Sequence, residues 1–369
     1  METKLLFFKL LERYRRALFF CHGYTSRGMM PAGVPSEVED PTIELTHGDV
    51  VHPCVRYIEE GFEGHKWWMV YTPYYGDDSR LENPRLCYSD AAEGEVPVKW
   101  IFYCTIVGAQ ETGYNSDPTM IYDNSQLYVF WRECHTPKAK EQKCRKLTVG
   151  CKVHSKQVTF LSEPQMVDAL DSIDREVSPT LVARNGSYRA YAMHLDFVPQ
   201  YIRYIPSFIG RKLYRSGIVF LLDALGILNM NKSYGVAIWD SSTIERRFQY
   251  KKTVQFKNIT KLYSPWHMDI FKSNSPKEDD VLYAVVQTRQ RHARICLARC
   301  IGGEEFSFFK KPLLTTKDIG MMRLYKPSAV LVGDKFYLFY TAHDNDDMKW
   351  NRLFVTSIDW ELLMSRISG

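Results

Sequence analysis

This chain of 369 residues lacks three features that would have pointed to common protein classes. Its nine cysteines form no CxxC pair, which argues against a zinc finger and suits a reducing compartment without disulfides. Its net charge of +5 is not gathered into a long run of like charge, so nucleic acid is not expected as a partner. No acidic run of the DxDxDG type occurs, so no cofactor or metal site is predicted.

The N-terminal segment also lacks the uninterrupted apolar core that a signal peptide or a membrane span requires. Its apolar stretches are interrupted by Lys4, Lys9, Glu12, Arg13, Arg15 and Arg16. Leu5, Phe8, Leu11, Tyr14 and Leu18 fall on one helical stripe, which predicts an amphipathic helix. We expect this helix to pack on the domain or, alternatively, to lie on a membrane surface. The expected location is cytoplasmic.

What the chain does contain is a large aromatic share, 14%, arranged in a weak internal repeat. A proline opens a short apolar run five times, and a turn and an aromatic-rich run follow. The intervals between these prolines are 65, 61, 86 and 62 residues. Each unit therefore begins with a β-hairpin, and two further strands complete it. The prolines are Pro53, Pro118, Pro179, Pro265 and Pro327.

Four-stranded units repeated around an axis form a β-propeller, so the expected fold is all-β with five blades. The alternative is a β-sandwich in which the proline spacing is accidental. Residues 1–45 form the N-terminal helix and a lead-in segment, and residues 46–369 form the propeller.

The long third interval indicates an insertion in the third blade, at about residues 196–232. It shows no two-residue alternation, and its apolar run from Ile218 to Leu228 is too short to span a bilayer. Helices are therefore expected there. They would cover the propeller face, form a dimer contact or touch a membrane surface, and the oligomeric state stays open.

In a propeller, the ends of the innermost strands gather around one channel mouth. The residues beside the repeat prolines should therefore lie close together, although they are far apart in sequence. Acids collected there would raise the pKa of at least one of them, as general acid/base chemistry requires. These candidates are Asp49, His52, Asp117, Glu176, Ser178, Trp266, His267, Asp269, Tyr325 and Lys326.

Further substrate contacts are predicted around this mouth. Trp266 lies at a blade mouth, where its ring could stack on a substrate, and Tyr74 lies in a loop that would form a subsite wall. Glu82 and Asn83 lie in another loop, from which Glu82 could supply a carboxylate.

The segments Ser116-Asp117-Pro118-Thr119 and Glu176-Val177-Ser178-Pro179 resemble blade openings of the five-bladed glycoside hydrolase superfamily. That superfamily contains family 43 and its relatives 32, 62, 68, 117 and 130. The resemblance extends from about residue 46 to the end of the chain. It implies that Asp117 is the orienting, pKa-tuning carboxylate and Glu176 the general acid, with inversion at the sugar carbon.

The first blade departs from the family pattern, because His52 stands where the general base, an Asp, is expected. Three residues are candidates for the missing role: His52 itself, Asp49 and Glu82. The predicted function is acid/base cleavage of a glycosidic bond in a carbohydrate substrate. The alternatives are an inverting glycoside phosphorylase and a non-catalytic propeller that binds glycan or protein. A structural calcium ion in the channel has no support in the sequence.

Overall fold

The computed structural model describes residues 28–30, 35–42, 48–135, 145–167, 175–184, 186–195, 234–259, 265–273, 281–288, 293–321, 323–343 and 351–368. This part of the chain is all-β, as predicted. Its α-helices are α1 (Thr316–Ile319) and α2 (Trp360–Ser368), and two 3-10 turns cover Tyr75–Asp77 and Ser79–Leu81.

Strands follow the repeat unit by unit, and every proline-led run pairs with the aromatic run after it. A short strand, β1 (Ser36–Glu37), precedes the first unit. Unit 1 holds β2 (Val50–Phe62), β3 (His65–Pro73), β4 (Arg85–Ser89) and β5 (Ile101–Thr105). Unit 2 holds β6 (Tyr114–Asp123), β7 (Gln126–His135), β8 (Arg145–His154), β9 (Gln157–Phe160) and β10 (Met166–Val167).

The later units repeat the pattern. Unit 3 holds β11 (Arg175–Arg184), β12 (Ser187–Leu195), β13 (Tyr234–Ser241) and β14 (Gln249–Lys257). Unit 4 holds β15 (Pro265–Lys272), β16 (Leu282–Thr288), β17 (Arg294–Ile301), β18 (Glu305–Phe308) and β19 (Leu314–Thr315). Unit 5 holds β20 (Arg323–Val332), β21 (Lys335–His343) and β22 (Asn351–Asp359).

The first strands of the five units form a closed ring. β2 contacts β6, β6 contacts β11, β11 contacts β15, β15 contacts β20, and β20 returns to β2. Units 1, 2 and 5 are separate sheets, whereas a parallel β14–β18 pair joins units 3 and 4 into one nine-stranded sheet. This nearly closed arrangement is consistent with a β-propeller.

The lead-in segment contributes to the last unit. β1 pairs antiparallel with β22, with Ser36 opposite Val355, and so supplies a fourth strand to that sheet. A strand from one end of the chain thereby ties down the sheet formed by the other end.

The aromatic second strands supply much of the core. Trp67, Trp68, Trp131 and Tyr191 are all at most 1% exposed. Side chains of this size each bury about 150–250 Å² of surface, so they dominate the packing free energy. The core clusters lie between neighbouring units, because one unit cannot bury its own apolar faces.

The repeat prolines mark a shared backbone irregularity. His52, Asp117, Ser178 and Lys326 each precede a proline and have φ of 57°, 51°, 54° and 23°. In each unit the strand register shifts at this point. Non-glycine residues adopt such φ values at a cost of about 1–3 kcal/mol, and such residues cluster at functional sites. The irregularity takes these four side chains out of the ordinary alternation of the strand.

The predicted N-terminal helix and the 196–232 insertion, with their expected membrane or dimer contacts, lie outside the described residues. Within the described ranges, no helix has the length and apolar character needed to cross a membrane. The seven cysteines found there are all buried free thiols.

Candidate functional site

A cluster of polar side chains occupies the centre of the strand ring. Asp117, at the irregularity of β6, is 0% exposed and lies at its middle. Its Oδ1 is 3.3 Å from His267 Nδ1 and 3.6 Å from His52 Nε2. Its Oδ2 is 3.1 Å from an Arg132 guanidinium nitrogen. The repeat therefore brings together residues from units 1, 2 and 4, as the sequence predicted.

The Asp117 carboxylate is held ionised by these neighbours. Burial alone would raise the pKa of Asp117, but Arg132 and the two imidazoles lower it well below its usual value. Arg132 is itself fixed by the Ser116 hydroxyl, which accepts a hydrogen bond from Arg132 Nη2 at 3.0 Å. The guanidinium is therefore positioned for the carboxylate.

His52 connects two carboxyl groups. Its Nδ1 lies 3.1 Å from Thr72 Oγ1 and 3.4 Å from Glu82 Oε2. Since the Thr72 hydroxyl donates to a backbone carbonyl at 3.3 Å, the arrangement favours a proton on Nδ1. The lone pair of Nε2 then faces Asp117 and the Tyr325 hydroxyl, which is 3.3 Å away.

His267 completes the cluster from β15. Its Nδ1 is 2.6 Å from Ser178 Oγ, and its buried Nε2 has no hydrogen-bond partner among the described residues. Burial lowers the pKa of His52 to about 3 and that of His267 to about 4. Both imidazoles are therefore neutral near pH 7.

Glu82 enters from a loop and not from a strand. It follows the second 3-10 turn, and its backbone carbonyl accepts from Asn115 N at 3.0 Å. Burial, and next the nearby Asp117 charge, raise the pKa of Glu82 well above its usual value. The Asn83 side chain anchors the same loop by accepting from Asn115 Nδ2 at 3.2 Å. A carboxyl group with a raised pKa and one with a lowered pKa thus lie on opposite sides of the His52 ring.

Asp269 has a different environment in the same ring. Its two oxygens accept from Arg56 at 2.8 and 2.9 Å and from the Ser328 hydroxyl at 2.6 Å. Burial raises the pKa of Asp269, but Arg56 more than offsets this and lowers it. This carboxylate is saturated by donors.

Glu176 and Asp49 lie in separate contacts. Glu176 Oε1 is 3.1 Å from His194 Nδ1, and its backbone carbonyl accepts from Arg132 at 3.4 Å. Asp49 Oδ1 accepts from the backbone and side-chain nitrogens of Asn351, both at 2.9 Å. No contact of either carboxyl group with Asp117 is observed among the described residues, so their catalytic roles stay predictions.

Aromatic side chains surround the cluster on its more accessible side. Trp266, Tyr74 and Tyr325 are half-buried, whereas the groups below them are buried. The Tyr325 and His267 rings meet edge to face at 4.6 Å between centroids.

Two residues of the cluster were not predicted from the sequence. Arg132 lies on the second strand of unit 2, directly opposite Ser116, and Thr72 on the second strand of unit 1, opposite Val51. A polar residue in an aromatic-rich strand was the signal available for each. Lys326, which was predicted, is 2% exposed, and burial lowers the pKa of its ammonium group.

Three of these residues also form a candidate metal centre. One ligand atom each from His52, Asp117 and His267 can be chosen so that all lie within 4.8 Å of one another. Two neutral imidazoles and one carboxylate form a donor set that suits divalent transition metals. The lone pair of His52 Nε2, 3.6 Å from Asp117 Oδ1, fits a bound cation.

Comparisons by sequence and by structure give different results. No protein family and no curated protein matches the sequence. By structure, an N-acetylgalactosamine deacetylase from F. plautii, solved with blood group B trisaccharide, is similar with a TM-score of 0.61 and 15% identity. The similarity covers 92% of this chain and 96% of the deacetylase.

Glycoside hydrolases are similar as well. A family 43 β-xylosidase/α-arabinofuranosidase from a compost metagenome, solved with xylotriose, has a TM-score of 0.55 and 12% identity over 88% of this chain and 94% of its own. The Bombyx mori family 32 β-fructofuranosidase has a TM-score of 0.55 and 9% identity over 95% of this chain and 65% of its own. The expected resemblance to this glycoside hydrolase superfamily is thus confirmed at the level of the fold.

Proposed function

We propose that this protein is a carbohydrate-active hydrolase, built as a five-bladed propeller in which each repeat unit is one blade. The observation that carries the proposal is the convergence of His52, Asp117, His267 and Glu82 at the centre of the ring, beneath half-buried aromatic rings. The structural neighbours support it, since they include enzymes that act on sugars.

The first candidate reaction is cleavage of a glycosidic bond. It needs one protonated and one ionised carboxyl group, and environments that push two pKa values apart create such a pair. Burial favours the protonated form of Glu82, and Arg132 favours the ionised form of Asp117, so Glu82 would protonate the leaving oxygen while Asp117 would accept a proton from the attacking water. Glu176 is the alternative acid. The predicted outcome is inversion at the sugar carbon.

The second candidate reaction is removal of an N-acetyl group from a sugar, and the donor set of His52, Asp117 and His267 favours it. A divalent cation held there would polarise the acetyl carbonyl and a water molecule. Glu82, beside His52, would donate its proton to the leaving amine and regain one from the attacking water. The similarity to the N-acetylgalactosamine deacetylase supports this alternative.

One experiment separates these reactions. The purified protein is incubated with xylotriose, with N-acetylgalactosamine glycosides and with blood group B trisaccharide, in the presence and absence of Zn²⁺, Mn²⁺ and inorganic phosphate. New reducing ends indicate a glycosidase, free acetate a deacetylase and sugar phosphate a phosphorylase. The anomer released, read by proton NMR, tests inversion.

Variants assign the roles. Asp117→Asn should abolish either hydrolysis. Glu82→Gln and Glu176→Gln, compared side by side, identify the acid, because only the catalytic one should reduce turnover while sugar binding persists. Binding without any product, in the wild type and with every cation, would contradict the proposal and favour a non-catalytic glycan-binding propeller.

A further inference from the structure

A cavity of about 940 Å³ lies at the end of the strand ring opposite the His52–Asp117–His267 cluster. Asp117 and His267 lie near the starts of β6 and β15, whereas the cavity is lined where β6, β11 and β15 end in their hairpin turns. Asp123, in the lining, follows Asp117 by six positions of β6, which is roughly 20 Å at the rise of a strand. The cavity is therefore separate from the reacting cluster.

Two cationic side chains line this cavity from neighbouring units. Arg184 ends β11 and Lys272 ends β15, and both are exposed. Because alternate residues of a strand share a face, Arg184 lies on the side of Val182, and Lys272 lies on the side of Ile270. Both apolar residues belong to the core between units 3 and 4. The two cations therefore extend from the same inter-unit face.

The positive charge of Arg184 is not balanced by the protein. Arg184 forms no ion pair within the described ranges. Its Nη1 lies 2.9 Å from the point that a Cβ on Gly303 would occupy, and Arg189 Nη1 lies 3.1 Å from the same point, so the two guanidinium groups are neighbours. Arg189 has its own acids, Asp240 at 2.8 Å and Glu304 at 3.4 Å. A second guanidinium without an acid leaves excess positive charge at the cavity, which attracts an anion.

An acid from unit 2, Asp123, also lines the cavity. The Tyr188 hydroxyl and Asn124 Nδ2 both donate to Asp123 Oδ2 at 2.7 Å, and Oδ1 accepts no hydrogen bond from the described residues. These neutral donors fix the carboxylate and leave its charge in place. A carboxylate accepts from hydroxyl groups and repels anions, so the lining suits a molecule with hydroxyl groups at one end and a negative charge at the other.

We propose that this cavity binds a sugar that carries a phosphate or sulfate group. The anionic group contacts Arg184 and Lys272, since a guanidinium forms paired hydrogen bonds to such oxygens, and the sugar hydroxyls donate to Asp123. The volume of the cavity is sufficient for a ligand of this size. Anion binding here is independent of the proposed hydrolysis, whereas the choice of a sugar as the carrier rests on the proposed carbohydrate-active function.

The test is isothermal titration calorimetry of the full-length protein at low ionic strength, where charges are least screened. The probes are galactose 6-phosphate, galactose 6-sulfate, inorganic phosphate and galactose. At least one charged sugar should bind saturably, and galactose should bind at least about tenfold more weakly because it lacks the charge-assisted hydrogen bonds. Inorganic phosphate that binds as tightly as the charged sugars would identify free phosphate as the ligand and overturn the role of the sugar.

Arg184→Gln should weaken binding of the charged sugar at least about tenfold, because it removes those charge-assisted hydrogen bonds. The matched control is Arg247→Gln, which removes the same charge from another exposed arginine of unit 3 that does not line the cavity. The control should leave the titration unchanged. Both substituted side chains are exposed, and thermal unfolding verifies that both variants keep the fold.

The outcomes distinguish this site from the reaction. Saturable binding that Arg184→Gln weakens and Arg247→Gln does not supports the site, even if no substrate is hydrolysed. Equal weakening by both variants would reflect the net charge of +5 and overturn the site. Binding that neither variant changes would place the anion elsewhere on the protein and overturn it as well. Hydrolysis of a glycan without saturable binding of either charged sugar overturns the site and leaves the proposed function standing.

Discussion

Asp117 and Asp269 lie in the same ring of strands, are both buried, and both have a lowered pKa, yet their surroundings differ in kind. Asp269 receives both nitrogens of Arg56, the hydroxyls of Thr180 and Ser328, and two backbone N–H groups. Asp117 faces two neutral imidazoles and one guanidinium. A carboxylate saturated by donors ties strands together. Asp117 has fewer donors, the Arg132 guanidinium and a 3.5 Å contact from the Ser178 hydroxyl, and so is available for chemistry.

The contrast between a reactive Asp117 and a structural Asp269 is tested most strongly by Asp117→Asn. Removing an acid/base group costs about 10²–10⁴-fold in rate, and removing a metal ligand abolishes activity that depends on the metal. We therefore expect kcat/KM to fall at least about 10³-fold while the far-ultraviolet circular dichroism stays native. The measurement uses whichever product the substrate survey identifies. An active Asp117→Asn enzyme would move the reacting centre elsewhere.

Asp269→Asn is the matching experiment and should lower the free energy of unfolding. Removing one charge of a buried ion pair strands the other and costs about 3–5 kcal/mol. We expect urea denaturation to show that loss for Asp269→Asn and a smaller one for Asp117→Asn, because Arg132 keeps its contacts with Ser116 and with the Glu176 carbonyl. Equal losses would mean that Asp117 is also a structural acid.

The sequence predicted that residues beside the repeat prolines lie close together, but not that Asp49 and Glu176 have other partners, nor what each residue does. Proline spacing placed His52, Asp117, Ser178 and His267 together, since blade repetition brings equivalent positions to one axis. It could not separate Asp117 from Asp269, because their difference lies in partners such as Arg56 and Arg132, which come from elsewhere in the ring. Glu82 was one of three open candidates because its position depends on a loop, and loop geometry is not encoded in strand periodicity.

The two histidines make stability depend on pH. The unfolded chain binds protons on His52 and His267 below about pH 6.5, whereas the folded protein does not until about pH 3 and pH 4 respectively. Stability should therefore fall as the pH falls from 6.5. Glu82 opposes this fall, because its raised pKa favours the protonated form in the folded protein. Because two pKa values are lowered and one is raised, the net slope is a loss of stability as the pH falls below 6.5.

His267→Gln removes one of the two histidine protons that the unfolded chain binds. It should therefore weaken the dependence of stability on pH. Urea denaturation at pH 5, 6 and 7 measures it for the wild type and the variant. His154→Gln is the matched control, since the His154 side chain is 72% exposed and should leave the slope as in the wild type. A wild type whose stability is independent of pH in this range would contradict the neutral state assigned to the cluster.

The smallest expected effect belongs to Tyr325→Phe, which probes the boundary between the reacting cluster and the aromatic rings above it. The Tyr325 hydroxyl is 3.3 Å from His52 Nε2, a long contact whose removal should change the free energy of unfolding by about 1 kcal/mol or less. If that hydroxyl supports a developing charge on the substrate, kcat should fall about tenfold with KM unchanged, because such an interaction exists only in the transition state. If Tyr325 only stacks on the sugar, the retained ring of Phe should leave both constants close to the wild type. Steady-state kinetics therefore decides whether the reacting cluster ends at His52 or includes Tyr325.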